Sequence, residues 1–235
     1  MRIRFKLKNR YTEGDKMRMR NLKNKEEILN NSKFLINNPK EHIGKWKELF
    51  KNNNPIHLEL GCGKGNFIAN MAVSHLDTNY IAIDVVDAML GLAKRNIEEI
   101  YKEKELEISN VYLTRFDIER ILMILDPKDE IDRIYINFCN PWPRGKHRKK
   151  RLTHTRQLEK YKVFLKPKGE IYFKTDDDGL FIDTIHYLEE TGFEIVKKTF
   201  DLENEKDFWE NIVTEHEKMF MNEGIKIKAL IAYKK

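Results

Sequence analysis

Residues 55–84 constrain the fold of this chain more tightly than any other stretch. IHLEL at 56–60 alternates like a strand, and glycines follow at once at 61, 63 and 65. Phe67 to Leu76 reads as a helix, and YIAID at 80–84 as a short buried strand. Glycines permit positive φ and let a backbone approach a ligand closely. A strand that breaks into such a turn, then a helix, then a second strand is a crossover unit whose two strands run parallel.

The alternation continues to the end of the chain. A helix is predicted over 86–104, with Val86, Met89, Leu90, Ala93, Ile97 and Ile100 at helical spacing, then a strand over 110–117. A short helix at 118–125, a strong strand at 131–138, a helix at 154–165 and a Pro-Lys-Gly turn at 167–169 come next. A strand at 170–176, a helix at 179–190 and strands at 193–202 and 225–234 around a helix at 205–222 complete the pattern. The expected fold is α/β: a doubly wound, mostly parallel seven-stranded sheet with an antiparallel edge strand. Residues 25–52 look like a polar helix with Phe34, Leu35, Ile36, Trp46, Leu49 and Phe50 as docking points. Three regions result: a disordered basic extension at 1–16, a helical and basic segment at 17–54, and the α/β domain at 55–235.

A chain of 235 residues suffices for one good core, and 40% apolar with 35% charged residues reads as a globular protein with a heavily charged surface. No apolar run approaches the roughly 18 residues of a membrane span. MRIRFKLKNRY at the start lacks the apolar stretch of a secretory signal. The two cysteines, Cys62 and Cys139, lie far apart in separate motifs, which suits reduced thiols in the cytoplasm. No Cys/His spacing suggests a metal.

The net charge of +6 is unevenly placed. Residues 1–25 hold ten Lys or Arg and two acids; residues 144–156 hold seven Lys or Arg and no acid. A basic stripe on an otherwise mildly acidic body suits a polyanion that docks in one orientation. The alternative is a solvated loop and a basic tail.

In doubly wound sheets, ligands bind outside the carboxyl ends of the strands. That rule gathers Gly61–Gly65, Asp84, Asp117, Cys139–Trp142 and Thr175–Asp178 along one edge. The dinucleotide fingerprint G-x-G-x-x-G fails, because Asn66 stands where its last glycine would be. Asp84 ends the next strand, where a carboxylate can accept from two ribose hydroxyls. Glu59, an acid just before the glycines, argues against pyrophosphate and for a ligand carrying an ammonium and a sulfonium, as S-adenosylmethionine does. Asp117 suits an adenine amino group. Singly, these residues have structural alternatives as turn formers and helix caps; together they favour a methyltransferase over a dehydrogenase.

LELGCGKGNF, DRIYINFCNPWPRGKHRKKRLTH, GEIYFKTD and VTEHEKMF occur in that order over residues 17–235, and the chain resembles the bacterial tRNA (guanine-N7)-methyltransferases. The resemblance implies a class I, Rossmann-like methyltransferase that uses S-adenosylmethionine, methylates guanine 46 in the tRNA variable loop and needs no obligate protein partner. Matched by motif, it places cofactor contacts at Glu59, Asp84, Asp117 and Asn140, and the turn glycines Gly61, Gly63 and Gly65 are expected to join them. It places substrate contacts at Arg144, Asp176, Thr214, Glu215, His216 and Glu217, and RNA contacts at Lys146, His147, Arg148, Lys149, Lys150 and Arg151.

The chain departs from the family pattern at one position that matters. Asn140 stands where the family usually has the aspartate called catalytic. Guanine N7 carries an in-plane lone pair and no proton, so its methylation needs positioning and not a general base. An asparagine still accepts and donates hydrogen bonds, so Asn140 is expected to keep a positioning role. Two rivals accompany that reading. One is an RNA-binding protein that kept the fold and lost catalysis. The other is an exocyclic-amine methyltransferase, whose Asn/Asp-Pro-Pro-aromatic motif this segment partly matches. Trp142 suits either a base-stacking platform or a strut between Pro141 and Pro143. Asp176 suits a base contact or a helix cap, and Thr214–Glu217 also has the form of a capping box.

Overall fold

A computed structural model describes residues 32–205 and 207–235. The extension expected at 1–16 lies outside the described residues. The described chain forms one sheet of eight strands in the order β1-β4-β3-β2-β5-β6-β8-β7. These are β1 (Leu35–Ile36), β2 (Ile56–Leu60), β3 (Asn79–Asp84), β4 (Val111–Arg115), β5 (Ile131–Asn137), β6 (Leu165–Thr175), β7 (Phe193–Thr199) and β8 (Lys228–Lys234). All pairs from β1 through β6 are parallel; β8 enters antiparallel between β6 and β7.

Among the described residues six α-helices connect and cover them: α1 (Trp46–Phe50), α2 (Asn66–Ser74), α3 (Asp87–Glu103), α4 (Thr155–Phe164), α5 (Asp178–Glu190) and α6 (Glu215–Asn222). α1, α4 and α5 bury Trp46, Leu158, Tyr161, Leu180 and Phe181 against one sheet face. α2 and α3 pack Phe67, Ile68, Leu90 and Ile97 on the other, over β2, β3 and β4. Further along that second face, Phe220 of α6, Leu202 and Phe208 cover β8.

Three local expectations give way. The polar helix expected over 25–52 is absent from its described part, where Leu35–Ile36 instead pairs with Leu113 and Thr114 of β4. Pro39 lacks an N–H and pushes Asn38 out of the helical region (φ −122°, ψ 75°), and Gly44 turns the chain at φ +70°. Only Trp46–Phe50 is α-helical there, and Trp46, wholly buried, donates its indole N–H to the Ile124 carbonyl at 2.7 Å. Phe34, Leu35, Trp46 and Phe50 of this stretch are buried against the sheet domain. At 205–222, helix begins only at Glu215, because Thr214 caps it and Trp209 is held flat against Tyr172 at 4.9 Å. The short helix at 118–125 is a 3₁₀ turn over Ile118–Met123.

Strand order reverses between β2 and β5. β3 and β4 follow β2 to one side, and β5 and β6 lie on the other. The crevice beyond the carboxyl ends of β2 and β5 is therefore the topological switch point, and two loops meet there: the glycine turn at 61–65 and the basic loop after Asn137.

Candidate active site

The glycine turn is held by its neighbour strand. Gly61 and Cys62 donate their N–H groups to the Ile83 carbonyl at 2.8 and 3.1 Å. Gly61, Gly63 and Gly65 all have positive φ. At Gly65 a Cβ would lie 2.7 Å from the Ala93 Cβ, so this glycine lets α2 approach α3. Asp84, buried, accepts from Gly63 N–H and Val86 N–H, both at 2.9 Å, and so fixes the turn from below.

A cavity of about 360 Å³ opens beside this turn, walled by Glu59, the three glycines, Asn137, Phe138 and the first residues of α6. Glu59 is 2% exposed. Its Oε1 accepts from Asn137 Nδ2 at 3.1 Å, while its Oε2 is buried with no partner. Burial pushes its carboxyl up to about 8, against the opposing pull of the Asn137 hydrogen bond and the Lys174 ammonium. An acceptor oxygen buried on a cavity wall without a donor is costly, and a cationic N–H donor entering the cavity would satisfy it. The α-ammonium of S-adenosylmethionine is such a donor, so the residues present fit that cofactor.

Asp84, Asp117, Asn140, Arg144 and Asp176 are not among the residues that line this cavity. Asp117 is exposed on the same edge and caps the following 3₁₀ turn by accepting from Glu119 N–H at 3.0 Å. Asn140 Oδ1 accepts from Trp142 N–H at 3.0 Å, an Asx turn that supports Trp142 at φ +42°. Asp176 does not cap α5: Asp177 does, accepting from Leu180 N–H at 2.6 Å. That leaves the Asp176 carboxyl half-buried, raised by burial and by Asp177, with Lys228 and His216 opposing.

The basic loop divides in two. Arg144, Lys146, Arg148, Lys149 and Lys150 are exposed, and His147 is partly so. Lys150 lies 5.2 Å over the Trp142 ring, and His147 5.7 Å from it. Arg151 differs, at 3% exposed: it donates to the Pro141 carbonyl at 2.6 Å and to Asp183 at 2.5 Å. The structure thus removes Arg151 from the RNA-facing set, because its guanidinium is spent inside, bracing the Asn140–Trp142 knuckle.

Thr214–Glu217 divides likewise. Thr214 and Glu217, both buried, form a reciprocal capping box, and Glu217 pairs with Lys174 at 2.8 Å; Thr214 also lines the cavity, and Glu217 does not. Glu215 and His216 remain exposed on the cavity wall. Glu215 reaches Lys64 at 3.0 Å and Asn66 at 2.6 Å, and His216 stacks on Phe138 at 5.9 Å.

Sequence reasoning missed Asn137 and Lys174. Asn137 ends β5 and lines the cavity itself, while Lys174 lies next to the end of β6 and meets the acids Glu59 and Glu217, and nothing local in the sequence signals such pairings. A larger cavity of about 690 Å³ lies along the same sheet face, walled by Arg133, Tyr135, Tyr172 and Trp209. It contains none of the predicted site residues; the chemistry belongs with the smaller cavity, where the glycine turn and the unpartnered carboxylate oxygen are.

Residues 53–230 match the family described as "Putative methyltransferase". A tRNA (guanine-N(7)-)-methyltransferase from Clostridium beijerinckii is 57% identical over 218 residues, covering 93% of this chain and 99% of that one. The chain belongs to this family. Its namesake from Clostridium botulinum strain Alaska E43 is 55% identical over the same shares. Among solved structures, an antibiotic-related methyltransferase superposes with a TM-score of 0.57 at 21% identity, covering 83% of this chain and 93% of that one, which places the fold among methyltransferases. Among the described residues no helix is long and apolar enough to cross a membrane, and no group of three or more His, Cys, Asp or Glu could hold a metal.

Proposed function

We propose that this chain transfers the methyl group of S-adenosylmethionine to N7 of guanine 46 in tRNA, in the cytoplasm and without an obligate protein partner. The observation that carries the cofactor half is Glu59, a buried carboxylate with one oxygen left open on the wall beside the glycine turn. When bound, the cofactor supplies an electrophilic methyl group on a sulfonium. Glu59 holds its ammonium, and the glycines keep the wall free of side chains. Asp84 receives the ribose hydroxyls on lone pairs left over from its two backbone bonds. Asp117 takes the adenine amino group.

The tRNA half rests on family membership and on the exposed cations beside the switch point. Lys146, Arg148, Lys149 and Lys150 contact phosphates, which fix register without reading sequence. Arg144, Glu215 and His216 meet the nucleotide. Asp176, freed from capping by Asp177, accepts from guanine N1–H and N2–H. No group removes a proton, because N7 has none. Asn140 shapes the knuckle through its oxygen, which leaves its NH₂ uncommitted to that turn.

The decisive experiment incubates the protein with methyl-labelled cofactor and unmodified tRNA and analyses the nucleosides. 7-Methylguanosine is expected. RNA binding without label would favour a binding protein, and label on an exocyclic amine would favour the amine-methylating rival.

A further inference from the structure

Lys174 lies next to the carboxyl end of β6 with 0% exposure, an uncommon place for an ammonium. Its three donors are fully used: Glu217 Oε2 at 2.8 Å, Asn211 Oδ1 at 2.9 Å and the Ile212 carbonyl at 3.3 Å. The Phe67 ring of α2 stands 5.3 Å from Nζ. Each acceptor is held in turn. Glu217 Oε1 accepts from Asn211 Nδ2 at 2.6 Å, Asn211 Oδ1 accepts from the Trp209 indole at 3.0 Å, and Thr214 and Glu217 cap each other. One buried cation therefore gathers residues 209–217, irregular until Glu215, onto the sheet.

That stretch ends in Glu215 and His216, which wall the cofactor cavity. A buried ion pair contributes little net stability compared with apolar residues of the same volume; what it supplies is a unique arrangement, since a misplaced partner leaves a bare charge. The other polar ties between α6 and this wall, Glu215 to Lys64 and Asn66, are exposed and weak.

We propose that Lys174 is a positioning residue for methyl transfer: through Glu217 it sets the start of α6 so that Glu215 and His216 stand where the target nucleotide meets the cofactor. The inference rests on the reaction proposed above. Its test combines Lys174→Met, Glu217→Gln and the double variant Lys174→Met/Glu217→Leu, which removes both charges and so leaves neither one stranded. Amide exchange over residues 209–222 is measured in the free protein, and turnover and tRNA affinity well below each melting midpoint.

All three variants are expected to exchange faster over 209–222. The double variant is expected to bind tRNA within about twofold of wild type through the intact basic loop and to lose about 10²-fold in kcat, the scale of a misplacement near 1 Å. A double variant that turns over at the wild-type rate would overturn the proposal. So would unchanged exchange over 209–222, or a loss confined to tRNA affinity with kcat intact. Failure of wild type to methylate tRNA would instead strike the reaction itself, and the exchange measurement would still report on α6.

Discussion

Two loops leave neighbouring strands at the switch point, and they are made rigid in opposite ways. The glycine turn after β2 is fixed by backbone N–H groups donating to Ile83 and Asp84, with its one unsatisfied acid, Glu59, directed inward. The loop after β5 carries its charges outward and is fixed by a single inward exception, Arg151. Charge alone therefore does not report function in either loop. A buried guanidinium with its partners filled is structural, as at Arg151, and a buried carboxyl with one oxygen unpartnered marks a ligand, as at Glu59.

The comparison breaks most visibly at Arg151. Arg151→Ala leaves Asp183 without its closest partner and the Pro141 carbonyl without its donor, and is expected to cost about 3–5 kcal/mol of stability. Lys149→Ala, two residues away and exposed, is expected to stay within about 0.5 kcal/mol. For tRNA binding the order reverses. Replacing Lys146, Lys149 and Lys150 together should lower the salt dependence by up to about 0.7–0.9 log units per lost phosphate contact. Chemical denaturation and filter binding at several salt concentrations separate the two; equal losses of stability at 149 and 151 would mean that the loop has no strut.

The glycine turn has its own internal contrast. Gly65→Ala puts a Cβ 2.7 Å from the Ala93 Cβ at φ +73°, and is expected to cost about 3 kcal/mol or more by combining strain with overpacking. Gly63→Ala meets nothing within 4 Å and should cost about 1–2 kcal/mol, from φ alone. Its added methyl faces the cavity, so its larger effect should be on cofactor affinity. Thermal unfolding with and without cofactor decides it, and the reverse order of stabilities would contradict the close α2–α3 contact.

These contrasts show what was legible in the chain and what was not. The βαβ order, the glycine turn and the carboxylates at strand ends follow from periodicity and turn chemistry, both local properties. β1 was hidden because Leu35–Ile36 is too short to show a period and gains its identity from β4, far along the chain. Arg151 reads like its neighbours because burial is not written in a run of seven cations. Glu217 carried a capping-box signature, and the structure shows that box, but its partner Lys174 sits in a strand 43 residues earlier. Pairings at that range come from the packing of whole elements.

Glu59 makes the inward charge testable by pH. Burial raises its carboxyl from 4.5 to about 8, so the folded free protein holds a proton that the unfolded chain has lost. The sign follows: this group favours folding most at or below its ordinary value, and that contribution is lost as pH rises toward 8. Binding of an ammonium requires the carboxylate, so cofactor affinity moves the other way. It should rise by up to about tenfold per unit between pH 5.5 and 7, and level off as the ligand's own α-amino group, near 7.7–8.0, begins to lose its proton. Calorimetry in buffers of different ionisation enthalpy should register proton release on binding. Glu59→Gln should weaken binding by about 10–100-fold and abolish the slope; a slope that survives in Glu59→Gln would place the titrating group elsewhere.

The smallest expected effect belongs to the residue that departs from its family. Asn140 spends its side-chain oxygen on Trp142 N–H, and a carboxylate at the same place can accept that hydrogen bond equally well. Asn140→Asp should therefore keep the Asx turn and leave turnover within a few-fold of wild type, about 1 kcal/mol or less. Asn140→Ala removes the acceptor while Trp142 must still hold φ +42°, so turnover should fall by up to about tenfold, the scale of one neutral hydrogen bond. Steady-state rates on unmodified tRNA, with Trp142 fluorescence as the readout of the knuckle, distinguish the two. If Asn140→Asp instead accelerates the reaction by orders of magnitude, the negative charge itself stabilises the ring as it becomes cationic, and shaping the knuckle is then the lesser part of what this position does.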